Sequence, residues 1–328
     1  VDLDEDAKAK SAFTCTQGLF QFRQMPFGLT NAPATFQRLM DCVLAGLNGL
    51  ICLVFIDDII IYTKTTVEQH LYDVHRVLKL LLWAGLKVKG SKCKFARSKL
   101  PFLGHMISSD GIRPDPEHVK AIVECPAPRN IHEVRSFLGL SGYYRRFIKE
   151  YARIASPINH LLKSGIGFVW SDRCEEAFQV LKEKLRTELV LIFPDLAKPF
   201  SLHVDASKEG LGAVLCQQGE DGEEHVVSYA SRTLKSYERN YSVTDQEMLA
   251  IVWAFGHYRT YLLGKKFVVY TDHQANLYIL RDRATNAACA RRTRWAVLLS
   301  EFHYEVVYKP GKKNSDARSE ERRVGKEC

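Results

Sequence analysis

The sequence predicts a multidomain protein of mixed α/β and α+β class. Three observations lead there. Short apolar runs of strand character alternate with helical patterns over the first third of the chain. The middle keeps a helical period almost throughout. From Pro199 onward, three closely spaced strands precede one long helix and two further strands. With 328 residues the chain can build two or three separate cores.

Taken in order, residues 13–107 read as a mixed unit. Strands are expected in TQGLFQFRQM, LICLVFI and DIIIYT, and helices over Ala32–Leu44 and Val67–Trp83, where apolar residues recur at three and four. SSDGIRPDPEHVKAIVECPAPRN follows, with four prolines and one glycine around a single short helix, and reads as a connector. The stretch IHEVRSFLGLSGYYRRFIKEYARIASPINHLLK has a helical period interrupted at Gly142 and Pro157, as a small helical subdomain would. PFSLHVDAS, LGAVLCQQ and EHVVSYASR are then three short strands separated by the turn sequences SKEG and GEDGE. A helix over Val243–Tyr261, a strand ending FVVYTD, a helix around RRTRWAVLLSEF and a last strand YEVVYK complete the pattern.

Composition narrows the class. Hydrophobic residues make up 46% and charged residues 26%, the balance of a globular protein rather than a disordered one. A formal charge of +8 and a pI near 8.9 suit a polyanionic partner without establishing one. The nine cysteines form no C-x-x-C pair and no zinc-spaced cluster, which favours a reducing compartment. No apolar run approaches the ~20 residues that span a bilayer, so no membrane partner is expected. Val1 and the abrupt opening VDLDEDAKAKSAF suggest a fragment.

Three stretches carry chemistry. In LVFIDDIIIYT, Asp57 and Asp58 stand between two apolar runs, as at the tip of a β-hairpin. A plain turn would explain them, and so would a site for divalent cations used in phosphoryl transfer. In the second half Asp205 and Asp272 stand at strand ends and Glu247 at the start of the long helix, so the three could face one point and hold two cations. Each has a simpler explanation: Glu247 closes a capping box on Thr244, and the two aspartates end strands. QMPFGLTNAPATFQRLM sets a Pro-aromatic-Gly turn before a helix start, and its glycine would let a ligand approach the backbone closely.

MPFGLTNAPATFQRLM, FIDD, GLKVKGSKCKF, FLGH, RSFLGLSGYYRRFI, VDAS, DQEMLAIVWA, YTDH and RRTRWA, in this order from about Ala7 to Ala317, resemble the pol polyprotein of gypsy-type LTR retrotransposons. The resemblance implies a polymerase palm with a fingers remnant over 1–107, a thumb-like and connection region over 108–190, and a ribonuclease H-like domain with a mixed five-stranded sheet over 191–317. It also implies roles. Asp57 and Asp58 resemble the paired polymerase acids, with Phe55 two places earlier. Phe27 and Gly28 would lie against nucleotide and template, Lys92 would protonate the departing pyrophosphate, and Phe102, Leu103, Gly104 and His105 would form the primer grip. Asp205, Glu247 and Asp272 match three of four ribonuclease H carboxylates.

The implied activity is RNA-directed DNA polymerisation with hybrid-specific ribonuclease, using Mg2+ or Mn2+, two ions per active site. The implied partners are RNA template, DNA primer, RNA–DNA hybrid and deoxynucleoside triphosphates, with protease and integrase as neighbours in the parent polyprotein. The implied location is intracellular, in a cytoplasmic virus-like particle with nuclear access. The basic and aromatic GYYRRFIKEY would suit a nucleic-acid surface, or equally a solvated helix face. A non-catalytic nucleic-acid-binding remnant of a retroelement is the alternative.

Both ends depart from the family. A third polymerase acid is expected just upstream of Val1. Aligning Asn314 and Ala317 puts Arg318 at the fourth ribonuclease H position, with Asp316 two places early. RSEERRVGKEC, residues 318–328, resembles the translation of a sequencing-library adapter.

Overall fold

The computed structural model describes residues 1–187, 190–274 and 290–310. They form two compact units, Val1–Arg97 and the residues from Ser98 onward.

In the first unit, helix α1 (Glu5–Lys10) precedes an antiparallel pair, β1 (Phe13–Cys15) and β2 (Gly18–Phe20). Helix α2 (Ala32–Val43) starts with Pro33 in its first turn, where a missing N–H costs nothing. The hairpin β3 (Cys52–Phe55) and β4 (Asp58–Ile61) follows, then α3 (Val67–Trp83), capped by the Thr66 hydroxyl accepting from the Gln69 N–H. Met40 of α2 and its C-cap Leu44, and Val77 and Leu81 of α3, each pair four residues apart, meet Cys52 of β3 in one buried cluster.

The second unit opens with a three-stranded antiparallel sheet, β5 (Lys99–Phe102), β6 (His105–Ser108) and β7 (Gly111–Pro114). The stretch expected to be a connector therefore contributes β7 and part of β6. Its Gly111 is not a linker residue. At φ +134° it lies so close to Leu191 that an added Cβ would sit 2.2 Å from that carbonyl oxygen, and the next residue, Ile112, exchanges backbone hydrogen bonds with Leu191.

Helices α4 (Pro116–Val123), α5 (Ile131–Tyr143), α6 (Tyr151–Ile154), α7 (Ser156–His160) and α8 (Asp172–Arg186) then build a helical subdomain around Phe137, Phe147, Ile158, Phe178 and Leu181. Gly142 does not interrupt α5. It leaves room for the Tyr151 hydroxyl, 3.4 Å from where a Cβ would stand, and the break comes after Tyr143. The interruption expected at Pro157 falls at Ala155, between α6 and α7, and Pro157 lies in the first turn of α7.

Strands β8 (Phe200–Ala206), β9 (Gly210–Gln218), β10 (Glu224–Thr233), β11 (Lys266–Thr271) and β12 (His303–Tyr308) form one mixed five-stranded sheet in the order β10-β9-β8-β11-β12. β8, β9 and β10 run antiparallel in sequence, while β11 lies parallel to both β8 and β12. Helices α9 (Val243–His257), α10 (Arg259–Leu262) and α11 (Ala290–Leu299) accompany it. Phe200, Leu202 and Val204 of β8 and Phe267 and Val269 of β11 pack with Met248, Ile251 and Phe255 of α9 and Trp295 and Leu299 of α11. The helix expected over Val243–Tyr261 breaks at Tyr258, whose buried hydroxyl donates to the Ser228 carbonyl at 2.9 Å. Among the described residues no helix is long and apolar enough to cross a membrane.

Candidate active sites

Asp57 and Asp58 stand at the tip of the β3–β4 hairpin. Phe55 pairs with Asp58, so Ile56 and Asp57 are the two loop residues. Ile56 has φ 55°, an unusual conformation for a β-branched side chain. Gln37 of α2 holds it there: its carbonyl oxygen accepts from the Ile56 N–H at 2.6 Å, and its amide donates to the Val54 carbonyl at 3.3 Å. The tip thus presents both carboxylates to solvent from a backbone clamped on both sides.

Phe27 is fully exposed, and Gly28 beside it has φ +95° with nothing within 4 Å of an added Cβ, so conformation rather than space requires the glycine. Lys92 ends an exposed 3₁₀ turn, Gly90–Lys92. Among the described residues no third acid joins the pair at the hairpin tip. The one cluster of three metal-ligating groups among the described residues lies in the second unit.

That cluster is Asp205, Glu247 and Asp272, whose nearest ligand atoms all lie within 4.8 Å of one another. The sheet explains the meeting. β8 and β11 are parallel neighbours with Tyr270 opposite His203, so two residues further along each strand bring Asp205 and Asp272 to the same end and the same face. That face is opposite the one on which Leu202 and Val204 pack. Glu247 arrives from α9, which packs along β8, and is 5% exposed while the two aspartates are half-buried.

The capping-box explanation of Glu247 is overturned. The N-cap is Ser242, not Thr244, and accepts from the Asp245 N–H at 3.2 Å, so Glu247 lies beyond the first turn.

Sequence reasoning missed the supports of this site. Asp245 accepts from Arg292 at 2.8 Å and from Arg291 at 3.4 Å, which ties α11 to the start of α9. The Thr244 hydroxyl meets His273 Nε2 at 3.1 Å, joining the helix start to the residue after Asp272. The sequence signals were the first two arginines of RRTRWA and a histidine following an acid. Asn314, Asp316, Ala317 and Arg318, and the tail 318–328, lie outside the described residues.

The FLGH stretch forms the β5–β6 turn. Phe102 pairs with His105, and Leu103 (φ 47°) and Gly104 (φ 67°) are both left-handed, as a two-residue hairpin loop with matching twist requires. His105 Nδ1 lies 2.7 Å from the Leu103 carbonyl oxygen and so donates to it. Burial holds the His105 pKa below its ordinary value. In the neighbouring GYYRRFIKEY, Tyr144, Phe147, Ile148 and Tyr151 are buried, while Tyr143 and Arg145 are exposed.

Residues 1–107 match the family described as reverse transcriptase (RNA-dependent DNA polymerase), and residues 195–302 match the RNase H-like domain found in reverse transcriptase. The chain is 43% identical over 319 residues to the retrovirus-related Pol polyprotein from transposon 297 of Drosophila melanogaster, covering 97% of this chain and 29% of that protein. It is 40% identical over 325 residues to the Pol polyprotein from transposon gypsy of the same organism, covering 95% and 30%. The chain therefore spans about three tenths of the length of these curated relatives. Among solved structures, the foamy viral protease-reverse transcriptase in complex with RNA/DNA hybrid shares the fold at a TM-score of 0.79 and 23% identity, covering 94% of this chain and 42% of that one.

Proposed function

Because the chain belongs to the Pol polyproteins of gypsy-type LTR retrotransposons, in their reverse transcriptase and ribonuclease H part, we propose that it copies an RNA template onto a DNA primer and cleaves the RNA of RNA–DNA hybrids. The observation that carries the reading is the convergence of Asp205, Glu247 and Asp272 from two parallel strand ends and a helix. Three carboxylates without nitrogen or sulfur donors make a hard oxygen set that fits Mg2+ or Mn2+. Ions bound there, two per site, would activate a water and stabilise the leaving oxygen of a phosphodiester. Glu247 is nearly buried, so its charge is poorly solvated and favours a cationic partner. Thr244 and His273 keep the helix start and the Asp272 segment in register while that charge is neutralised.

In the first unit Asp57 and Asp58 are the proposed ligands for nucleotide addition. Phe27 and Gly28 are the proposed contacts to deoxynucleoside triphosphate and template, and Lys92 the proposed proton donor to pyrophosphate. Phe102–His105 is the proposed primer grip. The limits 1–107, 108–190 and 191–317 for palm and fingers, thumb and connection, and ribonuclease H regions belong to the same proposal. So do the neighbouring protease and integrase of the parent polyprotein and a place in a cytoplasmic virus-like particle with nuclear access.

The test is cleavage of a labelled RNA–DNA hybrid with Mg2+ or Mn2+, with single-stranded RNA and DNA duplex as controls. Hybrid-selective cleavage that EDTA and Asp205→Asn both abolish is expected. Salt-sensitive hybrid binding without any cleavage would instead make the chain a binding remnant.

A further inference from the structure

We infer that Tyr143 and Tyr144 are positioning residues for the Leu103–Gly104 turn, and that the segment from Tyr143 to Ala152 fixes this turn to strand β10 of the ribonuclease H-like sheet. A primer end held at the turn and the acid triad then keep a set spacing along one bound duplex. The inference rests on the proposal that Phe102–His105 grips the primer.

The turn is held from outside its own hairpin. The Tyr143 hydroxyl donates to the Leu103 carbonyl at 2.6 Å, and the Tyr144 hydroxyl donates to the Gly104 carbonyl at 2.7 Å, each bond crossing 40 residues of chain. Burial pushes the Tyr144 pKa up to about 12, which keeps that hydroxyl a donor. His118 Nδ1 lies 3.1 Å from the same hydroxyl oxygen.

A side chain at Gly104 would be strained and would press its neighbours aside. Besides its left-handed φ, an added Cβ would stand 3.2 Å from both His118 Nδ1 and Tyr143 Cε1. Leu103, left-handed without being glycine, is a strained residue whose conformation its surroundings determine. Two hydroxyls aimed at the carbonyls of two consecutive left-handed residues specify where that backbone lies, more than a packed core requires.

The same segment then grips β10. Arg145 donates to the Ser231 carbonyl, and the Ala152 N–H donates to the Ser231 hydroxyl at 2.9 Å. Ser231 is 4% exposed on the edge strand of the five-stranded sheet. Between these anchors Glu150 adopts φ 57° and pairs with Arg153 at 2.7 Å. Both line a cleft together with Asp205, Gly212, Ser231 and Arg232, so the segment ends beside one member of the triad. Hydrogen bonds link turn, tyrosines, arginine and β10 within a single compact unit, and the cleft beside β10 reaches Asp205.

The experiment uses the full chain and a DNA primer recessed on a labelled RNA template. It records the Kd for this duplex, the positions of RNA cuts counted from the primer end, and kcat on a long hybrid without a recessed end. Tyr143→Phe and Tyr144→Phe keep the rings and remove the two donors. Each is expected to raise Kd about fivefold, the loss of one hydrogen bond, and to spread the cut positions while leaving kcat on the long hybrid unchanged. Ser231→Ala removes the hydroxyl that accepts from the Ala152 N–H and keeps the carbonyl that accepts from Arg145, so it should spread the cuts less than the tyrosine variants do, with little change in Kd.

Unchanged Kd and an unchanged cut pattern in the tyrosine variants would overturn the inference. Tyr143 is half exposed, so its variant remains informative even if Tyr144→Phe fails to fold. Gly104→Ala separates the two layers. If it weakens primer binding while the tyrosine variants do not, the inference fails and the primer-grip reading stands. If Gly104→Ala also leaves primer binding intact, the primer-grip reading fails.

Discussion

The acid pair of the first unit and the acid triad of the second are built by opposite routes. Asp57 and Asp58 are neighbours in sequence, exposed in the turn and at the first strand residue after it, and their geometry depends on one strained residue, Ile56, and one clamp, Gln37. Asp205, Glu247 and Asp272 are spread over 68 positions and meet only because β8 and β11 are parallel neighbours and α9 packs along β8. A local site can be loosened by a change to its own turn. An assembled site is robust to local changes but depends on register, on the helix start and on the arginines that dock α11.

The comparison is broken most sharply at the triad. Asp205→Asn or Glu247→Gln should lower Mg2+-dependent hybrid cleavage by about a thousandfold or more, because a lost ligand removes the ion's contribution to both nucleophile and leaving group. Asp57→Asn should leave cleavage within about twofold, as expected of sites that do not share ligands. Cleavage that fell equally in both variants would mean that the two sites are not separate.

Next in size is the response to the ion alone. Three converging carboxylates repel one another, so Mn2+ at about a hundred times its Kd should add about 2.7 kcal/mol of stability. Thermal unfolding with and without Mn2+ measures it, and Glu247→Gln should shrink the gain. An equal gain in that variant would place the ion elsewhere.

At the hairpin, Gln37→Ala leaves the Ile56 N–H without its acceptor and should cost the first unit about 1–2 kcal/mol. Hybrid cleavage should be unaffected, and denaturant unfolding with a probe in each unit separates the two readouts. Ser242→Ala should cost about 1 kcal/mol, the usual value of an N-cap. If Thr244→Ala abolished capping instead, the assignment of Ser242 as the cap would be wrong.

The smallest effect is on pH dependence. Burial lowers the His105 pKa, so folding favours its neutral form. The stability this gives is complete above the ordinary histidine value and is lost as pH falls through it toward the lower folded value. Arg146 and His118, which also disfavour the charge, act against Asp115 and the Leu103 carbonyl, which favour it. Melting temperature should therefore fall slightly between pH 7.5 and 5.5, and less so in His105→Gln. Glu224, held down at about 2 by hydrogen bonds from His203 and Ser201, contributes stability that persists above the ordinary carboxylate range and is lost only as pH falls toward 2.

Much of this was legible in the residues alone. Alternating apolar patterns located β8, β11 and α3, the last of them to the residue, because a side chain's period reports its own backbone. The placing of Asp57 and Asp58 between two apolar runs followed from the same local logic, as did the order of strand acid, helix acid and strand acid. The β5–β7 sheet was not legible. Its strands are four residues long, too short for a period to stand out, and prolines and a glycine flank them. Gly142 looked like an interruption because its partner, the Tyr151 ring, lies nine positions away and outside the helix pattern.

What the sequence by itself determined is the set of elements and the chemistry available on them: a hairpin tipped with two acids, three further acids at element ends, and a basic chain of mixed class. What only the tertiary structure decided is which groups share a point and which are already spent. Strand order brought Asp205 opposite Asp272. The Ser242 cap freed Glu247 from the first turn. Two tyrosine hydroxyls that could have faced nucleic acid were committed to carbonyls 40 residues away. The reason is physical: periodicity and capping are set by neighbours within a few residues, whereas a hydrogen bond or a metal site depends on angstrom distances that long-range register alone decides.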